Sequence, residues 1–182
     1  MDKKSTSLNP AKKIGVCKKC KLWKSRINAI PGEGPRNAKI MIIGEAPGRQ
    51  EEKQGMPFVG LAGKRLNKIL EKNNLDRKKI YITNVVKFRP PQNRRPTEKE
   101  IKKSMPQLKK EIGKIKPKLI ILLGKTACNA FFPDFKFPEL RGKFIKKEKI
   151  TFFPTYHPSA ARFTKIREKL EDDFAKLRLF SL

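Results

Sequence analysis

The stretch Ile40-Met-Ile-Ile-Gly-Glu-Ala-Pro-Gly-Arg-Gln-Glu-Glu52 decides the fold class. It begins as an uninterrupted apolar run, which is typical of a strand buried on both faces of a parallel sheet, and Gly44 ends that run. The loop that follows carries three carboxylates, and ligands of open α/β sheets bind beyond the carboxyl ends of the strands. A glycine-rich connection with solvated charges explains the same residues equally well, so both interpretations stay open at this point.

Strands and helices alternate along the rest of the chain. Short apolar runs predict strands, and apolar residues at helical spacing predict helices between them. This alternation predicts an α/β fold, a three-layer α/β/α sandwich with a central, mainly parallel four-stranded sheet. We expect a single domain over residues 1–182, with a basic N-terminal segment at about 1–38. The predicted strands are 39–43, 80–84, 118–124 and 150–155, and the predicted helices are 61–73, 97–116, 125–132 and 164–179, the second opened by a capping box from Thr97 to Glu100.

The chain is strongly basic. Its 182 residues include 45 Lys and Arg against 17 Asp and Glu, which gives a formal net charge of +28. This surplus favours polyanionic partners, nucleic acid first and an anionic membrane second, although a lysine-rich proteome would give the same composition. No apolar run approaches the roughly 20 residues that span a bilayer, and no signal core follows the N-terminus, so we expect a cytoplasmic protein. Three cysteines, an odd count, also favour a reducing compartment over a disulfide framework.

Polar groups follow the ends of three predicted strands. Asn84 ends one strand and offers an amide that can donate and accept at once. His157, the only histidine in the chain, follows another strand within a rigid His-Pro-Ser sequence. Each of these residues alone is more often a turn former or a structural side chain. Their convergence with the carboxylate loop on one sheet edge predicts a binding site.

Two shorter motifs carry less information. Gly124-Lys-Thr126 matches the end of a phosphate-binding loop, but Leu119 stands where that motif requires glycine, so a turn from strand to helix is the better interpretation. Cys17-Lys-Lys-Cys20 can present two thiolates to one metal ion or form a redox pair, and alone it is half of a site.

The ordered motifs of the chain resemble the uracil-DNA glycosylase superfamily, and most closely its family 4, the thermophile and archaeal type. The resemblance runs from about Cys17 to the C-terminus, in family order and spacing. It implies an enzyme that flips uracil out of DNA and hydrolyses its N-glycosidic bond, leaving an abasic site for base-excision repair. The matching pieces are Gly44-Glu-Ala-Pro-Gly48 with Glu51-Glu52, Gly55-Met-Pro-Phe-Val-Gly60, Thr83-Asn-Val-Val-Lys87 with Arg89-Pro-Pro91, and Tyr156-His-Pro-Ser159.

The resemblance also implies roles for the residues that would surround the base. Phe58 would stack on the uracil ring, and Asn84 would contact its N3–H and O4 edge. His157 would donate to O2 and stabilise the negative charge that develops on the departing base. Glu51 would crowd C5 of the ring and exclude the methyl group of thymine.

The attacking water would lie beside the loop after the first strand. Gly44, Glu45 and Ala46 would line the pocket there. Other branches of the superfamily have Asp where this chain has Ala46, so we assign Glu45 the role of the missing carboxylate.

Clamping of DNA phosphates would offset the cost of base extrusion. We assign this clamp to the basic loop after the second strand and to the segment after His157. A leucine-type wedge is expected near Ala161 in this superfamily, and Arg162-Phe163 would take its place here. The residues assigned to DNA binding are Lys87, Arg89, Arg94, Arg95, Ser159, Arg162 and Phe163.

Family 4 carries a [4Fe–4S] cluster on four cysteines, and only Cys17 and Cys20 match that pattern in this chain. The third ligand position is Phe88 and the fourth falls at Ser104, while Cys128 lies outside the pattern. Phenylalanine cannot ligate iron, so we expect no cluster, or at most a labile one, and no other cofactor.

Two alternatives to a uracil-DNA glycosylase stay open. One is a catalytically impaired nucleic-acid-binding module of the same fold, which the two missing cysteines favour and the intact pocket residues oppose. The other is a glycosylase with an altered base range, such as hypoxanthine. We expect a monomer, nucleoid-associated in a prokaryote, that acts on single- or double-stranded DNA, with replication or repair proteins as further candidate partners.

Overall fold

The computed structural model describes residues 29–179, so the predicted N-terminal segment up to residue 28, with Cys17 and Cys20, lies outside the described residues. No helix in the described range is long and apolar enough to cross a bilayer. The strands are β1 (Ile40–Gly44), β2 (Ile80–Asn84), β3 (Leu119–Leu123), β4 (Ile145–Lys147) and β5 (Ile150–Thr155). The helices are α1 (Arg49–Gln54), α2 (Leu61–Lys72), α3 (Glu98–Ile115), α4 (Lys125–Phe131), α5 (Phe137–Leu140) and α6 (Thr164–Lys176), with 3-10 turns at Arg77–Lys79, Pro91–Asn93, Pro158–Arg162 and Leu177–Leu179.

The strands form one sheet in the order β2-β1-β3-β5-β4. Strands β2, β1, β3 and β5 are parallel to one another, and β4 pairs antiparallel with β5 at the edge of the sheet. The predicted α/β fold and all four predicted strands are confirmed, but the four-stranded sheet is corrected to five strands. Strand β4 escaped the sequence analysis because a three-residue segment with two lysines has no apolar pattern to recognise.

Helix α1 lies in the stretch that the sequence indicated as a continuous loop. It begins after Gly48, whose N–H donates to the Glu51 carboxylate at 3.1 Å. It ends at Gly55, which adopts the left-handed conformation with φ of 72° and donates its N–H to the Glu51 carbonyl at 2.8 Å. A helix of six residues spans less than two turns, so it leaves no periodic signal in the sequence.

The two faces of the sheet bury separate apolar clusters, because successive side chains of a strand point to opposite faces. Met41 and Ile43 of β1 join one cluster, whereas Ile40 and Ile42 join the other. Helices α3 and α4 cover the first face, and helices α2 and α6 cover the second, through Leu108, Cys128, Leu66, Leu70, Leu170 and Phe174. The sandwich therefore holds the strand ends rigidly from both sides.

Helix α3 begins as the sequence predicts. The Thr97 hydroxyl accepts the N–H of Glu100 at 3.3 Å, and the Glu100 carboxylate accepts the N–H of Thr97 at 2.8 Å, which forms a capping box. Arg94 donates to the same carboxylate from both of its terminal nitrogens. The hydrogen bond from Arg94 is the main reason that the pKa of Glu100 is lowered to about 2. The start of α3 thus fixes the end of the basic loop before it.

Replacing Thr97 with alanine is expected to lower the free energy of unfolding by about 1 kcal/mol, because one donor at the helix start loses its partner. Urea denaturation measures this loss. Lys99→Ala, an exposed change in the same turn, serves as the matched control and should stay within about 0.5 kcal/mol of the unchanged chain. Equal losses in the two variants would show that helix propensity or charge, rather than the cap, sets the stability.

Candidate active site

The carboxyl ends of the parallel strands meet at one edge of the sheet and surround a cavity of about 270 Å³. Gly44 at the end of β1 is in register with Asn84 at the end of β2. The N–H of Gly124, which follows β3, donates to the carbonyl of Thr155 at the end of β5 at 2.7 Å. The structure therefore brings the three predicted strand-end groups together. The cavity is lined by Glu45, Ala46, Pro47, Gly48, Arg49, Glu51, Phe58, Ala62, Asn84, Pro90, Asn93, Arg94, His157 and Ser159.

Two glycines let the wall of the cavity close around Phe58. A Cβ atom on Gly44 would lie 2.5 Å from both Asn84 Oδ1 and Phe58 Cζ. A Cβ atom on Gly63 would lie 1.8 Å from the carbonyl oxygen of Phe58. Phe58 itself has φ of 55°, a conformation that a bulky residue rarely adopts. The predicted role of Gly44 thus has a steric basis: it leaves room for the amide and the ring.

Asn84 carries an unpaired acceptor beside this ring. Its side chain is buried, and its Oδ1 atom has no hydrogen-bond partner among residues 29–179. Buried polar atoms are nearly always hydrogen-bonded, and one left unpaired in a native protein calls for an explanation. A ligand that donates a hydrogen to Oδ1 would satisfy it.

A buried ionic network binds the backbone carbonyl of Asn84. Lys87 is 3% exposed, and its Nζ donates to the Asn84 carbonyl at 2.8 Å and to the Glu111 carboxylate at 2.7 Å. Thr83 Oγ1 also lies between Lys87 and Glu111. Burial lowers the pKa of Lys87, and the adjacent Glu111 opposes that shift. The assignment of Lys87 to DNA binding is therefore wrong, because this ammonium group faces the protein interior and not the solvent.

His157 is held in one tautomer by the residues that follow it. Its Nδ1 accepts the N–H of Ser159 at 3.2 Å and lies 2.8 Å from the Ser159 hydroxyl. A backbone N–H can only donate, so the proton of the neutral imidazole is on Nε2. Burial lowers the pKa of His157 to about 4, and the Glu51 carboxylate only partly opposes this shift. The ring, 5.7 Å from that of Phe58 between centroids, thus offers a neutral N–H donor to the cavity it lines.

The lowered pKa of His157 predicts a flat activity profile between about pH 5.5 and 8, where an ordinary imidazole near 6.5 would titrate. The folded protein takes up this proton only near pH 4. Protonation would then turn Nδ1 into a donor and break its bond with the Ser159 N–H, so activity should fall only as the pH approaches that value. The specificity constant kcat/KM, which reports the pKa values of the free enzyme, measures this profile. A half-maximal point near pH 6.5 would contradict the neutral donor.

Glu51 holds the loop between β1 and α2. One carboxylate oxygen accepts the N–H of Val59 at 3.0 Å and of Gly60 at 2.8 Å, and the other accepts the N–H of Gly48 at 3.1 Å. Sequence reasoning missed this structural role, because hydrogen bonds to backbone nitrogens eight and nine residues away leave no motif. The carboxylate also lines the cavity, and its exclusion of a methyl group stays a prediction.

Glu45 is oriented by a residue that sequence reasoning set aside. The Thr126 hydroxyl, on the first turn of α4, donates to the Glu45 carboxylate at 2.5 Å. Gly124-Lys-Thr126 is thus not a phosphate-binding loop, but its threonine does serve this site. The signal was available in the position of the motif at the end of β3, where the sheet places ligand-binding groups.

The chain is similar to known proteins over most of its length. The family model described as the uracil DNA glycosylase superfamily matches residues 31–178. The chain belongs to this superfamily. A type-4 uracil-DNA glycosylase from Sulfurisphaera tokodaii is 46% identical over 173 residues, covering 89% of this chain and 79% of the relative. Type-4 enzymes from Saccharolobus solfataricus and Archaeoglobus fulgidus are 46% identical over 179 residues and 40% over 176, covering 92% and 91% of this chain and 83% and 88% of the relatives. The resemblance seen in the motifs is confirmed.

Most cations of the basic loop between β2 and α3 form ion pairs with carboxylates of the protein itself. Arg89 donates to the buried Glu52 at 3.1 Å and to Asn93 at 2.7 Å. Arg94 lines the cavity, but both of its terminal nitrogens bind Glu100, at 2.8 and 2.9 Å. Arg95 is exposed. These contacts stabilise the conformation of the loop, and the DNA contacts of Arg89, Arg94 and Arg95 stay predictions.

The segment after His157 presents the side chains predicted for DNA contact. Ser159 and Arg162 are exposed, and Phe163 is 54% exposed. The Arg162 guanidinium lies 4.7 Å from the centre of the Phe163 ring. An exposed aromatic ring paired with a cation has the shape and chemistry of a wedge beside an extruded base, and this role stays a prediction.

The positions that carry cluster ligands in family 4 do not fit a four-thiolate cluster. Phe88 is buried in the apolar cluster beneath α3 and α4, and Ser104 on α3 is half-buried. Cys128 is fully buried on α4, and burial raises the pKa of its thiol to about 11, so it is protonated at neutral pH. Among residues 29–179, no three His, Cys, Asp or Glu side chains gather as a metal site.

Proposed function

We propose that this chain is a uracil-DNA glycosylase that hydrolyses the N-glycosidic bond of deoxyuridine in DNA. The observation that carries the proposal is the unpaired Asn84 Oδ1, which lies near the Phe58 ring in a cavity that His157 also lines. Uracil is planar, donates from N3 and accepts at O2 and O4. It therefore matches a stacking ring, an amide and a neutral imidazole donor.

The reaction would begin with extrusion of the nucleotide, because the glycosidic bond is inaccessible inside a stacked duplex. Phe58 would stack on the base and Asn84 would accept N3–H. As the bond between C1′ and N1 lengthens, negative charge moves onto the base and positive charge onto the sugar. His157 Nε2–H would donate to O2, where much of that negative charge collects, and so stabilise the leaving group.

Water would add to C1′ on the side of the Glu45 loop. The hydrogen bond from Thr126 fixes the Glu45 carboxylate beside Ala46. This carboxylate would orient the water and accept its proton, while the departing base retains the bonding electrons. Ala46 offers no acidic side chain, so Glu45 takes the role that an aspartate holds in other branches.

The base range would be set by Glu51 and Asn84. Glu51 is fixed by three backbone donors and cannot swing away from the cavity without breaking them. A thymine methyl group would meet this rigid wall. Asn84 Oδ1 requires a donor on the base edge and would favour uracil over bases that present only an acceptor there.

Excision from labelled duplexes that carry one U:G, T:G or hypoxanthine:T pair, followed by alkali cleavage, tests the proposal. Cleavage at uracil alone is expected. Cleavage mainly at hypoxanthine would leave the proposed mechanism in place but show that hypoxanthine, and not uracil, is the main substrate. Binding of the duplex without any cleavage would favour the alternative of a non-catalytic DNA-binding module.

We also propose that the enzyme works without the cluster of its family. The buried Phe88 ring supports this proposal, since it supplies apolar packing where the family pattern has a ligand. Iron analysis and the absorbance spectrum of protein purified without oxygen test it. About four irons per chain with a broad visible absorbance would overturn it.

A further inference from the structure

A second cleft of about 390 Å³ lies beyond the 3-10 turn that follows His157. It opens between α2, this turn and α6, on the sheet face opposite to α3 and α4. Ile69 and Ala161 are its apolar residues. The charged residues that line it are Arg65, Lys68, Arg162, Arg167 and Glu171.

The positive charge of this cleft is not neutralised from within. Glu171 is its one carboxylate, and Glu171 is already paired with Lys72, which lies outside the lining, at 2.5 Å. The salt bridges found across residues 29–179 include none of the four cations of the cleft. Four like charges around one concave surface repel one another, and a bound anion would relieve that repulsion.

Arg65 connects the cleft to the candidate active site. Its Nη1 donates to the carbonyls of Pro158 at 3.4 Å and of Ser159 at 3.2 Å. Ser159 in turn fixes Nδ1 of His157 and lines the cavity at the strand ends. An anion in the cleft would therefore lie on the same turn that carries the proposed leaving-group donor.

The basic loop before α3 offers few unpaired cations to DNA. Lys87 is buried, Arg89 binds Glu52 and Arg94 binds Glu100, so these cations are partnered within the fold. Base extrusion still needs cations that grip the backbone on the flanks of the extruded nucleotide. Arg65, Lys68 and Arg167 retain that capacity.

We propose that this cleft binds the phosphodiester backbone of the DNA strand next to the extruded nucleotide, through Arg65, Lys68, Arg162 and Arg167. The inference rests on the proposed function for its substrate, DNA. Phosphate oxygens would bind the guanidinium and ammonium groups, and the deoxyribose would pack on Ile69 and Ala161. Because Arg65 bonds the turn that carries His157, the cleft sets the backbone at a fixed distance from the reacting sugar.

The test is a double charge reversal, Lys68→Glu with Arg167→Glu, at two exposed positions of the cleft. The matched control is Lys109→Glu with Lys110→Glu on α3, which changes net charge equally on the opposite face. Affinity is measured with a uracil-free duplex over a range of salt concentrations, so the result does not depend on excision. Melting temperatures check that both variants fold, and Lys68→Gln with Arg167→Gln is a milder pair should reversal unfold the chain.

The cleft variant is expected to bind on the order of tenfold more weakly in about 0.1 M salt, and its slope of log Kd against log salt should fall by about 2, close to 0.9 for each lost phosphate contact. Equal effects in the control variant would overturn the proposal, because they would reflect net charge alone. Competition by inorganic phosphate with an unchanged salt slope would assign the cleft to a free anion and also overturn it.

Discussion

Replacing His157 with alanine is expected to lower the turnover number for uracil excision by about 10²- to 10³-fold, while DNA affinity changes by less than about twofold. The reason is that Nε2–H bonds an oxygen whose negative charge grows only as the base departs. Such a bond contributes little in the ground state, so its loss appears in turnover and not in binding. Single-turnover excision from a U:G duplex, with affinity measured on a uracil-free duplex, separates the two quantities.

His157→Gln is the matched control, because glutamine retains an N–H donor without the imidazole ring. Partial recovery of the rate by this variant would support a donor role. An equal loss of rate and affinity in His157→Ala would instead assign His157 to DNA binding and remove it from the proposed chemistry.

Replacing Glu111 with leucine is expected to lower the free energy of unfolding by about 3–5 kcal/mol, because Lys87 would keep its charge in the interior without a carboxylate beside it. Lys87 and Glu111 have side chains only 3% and 9% exposed, so water cannot take the place of the lost partner. Denaturation in urea measures the loss. A loss below about 1 kcal/mol would mean that Lys87 is already neutral in the folded protein.

The double variant Lys87→Met with Glu111→Leu distinguishes stability from positioning. Removal of both charges should recover most of the stability, as apolar replacements of buried ion pairs do elsewhere. Excision should nevertheless be lower than in the unchanged chain, because the Asn84 carbonyl no longer accepts from Lys87 and the amide near Phe58 loses its support. Full recovery of both properties would limit the ion pair to a structural role.

The sequence was sufficient for the elements whose signal is local. Strand β1 is an apolar run, α3 opens with Thr97 and Glu100, and both appear in the structure where the pattern predicted them. The convergence of Asn84 and His157 was also predictable, since parallel strands bring their carboxyl ends to one edge. Periodicity and topology carry this information without knowledge of any side-chain contact.

The sequence was insufficient where a residue's role depends on a distant partner. Lys87 stands in a basic loop and reads as exposed, but Glu111, 24 residues later on α3, turns it inward. Arg89 reads as an unpaired cation, but its guanidinium donates to Glu52, 37 residues earlier. Burial and ion pairing are set by the packing of whole helices on the sheet, which no local pattern encodes.

The unpaired Asn84 oxygen has a consequence for the release of product. Asn84 Oδ1 has no hydrogen-bond partner among residues 29–179, so no protein donor competes with a base that donates to it. Free uracil retains the N3–H that fits this acceptor after the bond to the sugar is gone. The excised base would therefore be retained by the pocket that extracted it, and the enzyme would be slowed by its own product wherever free uracil accumulates.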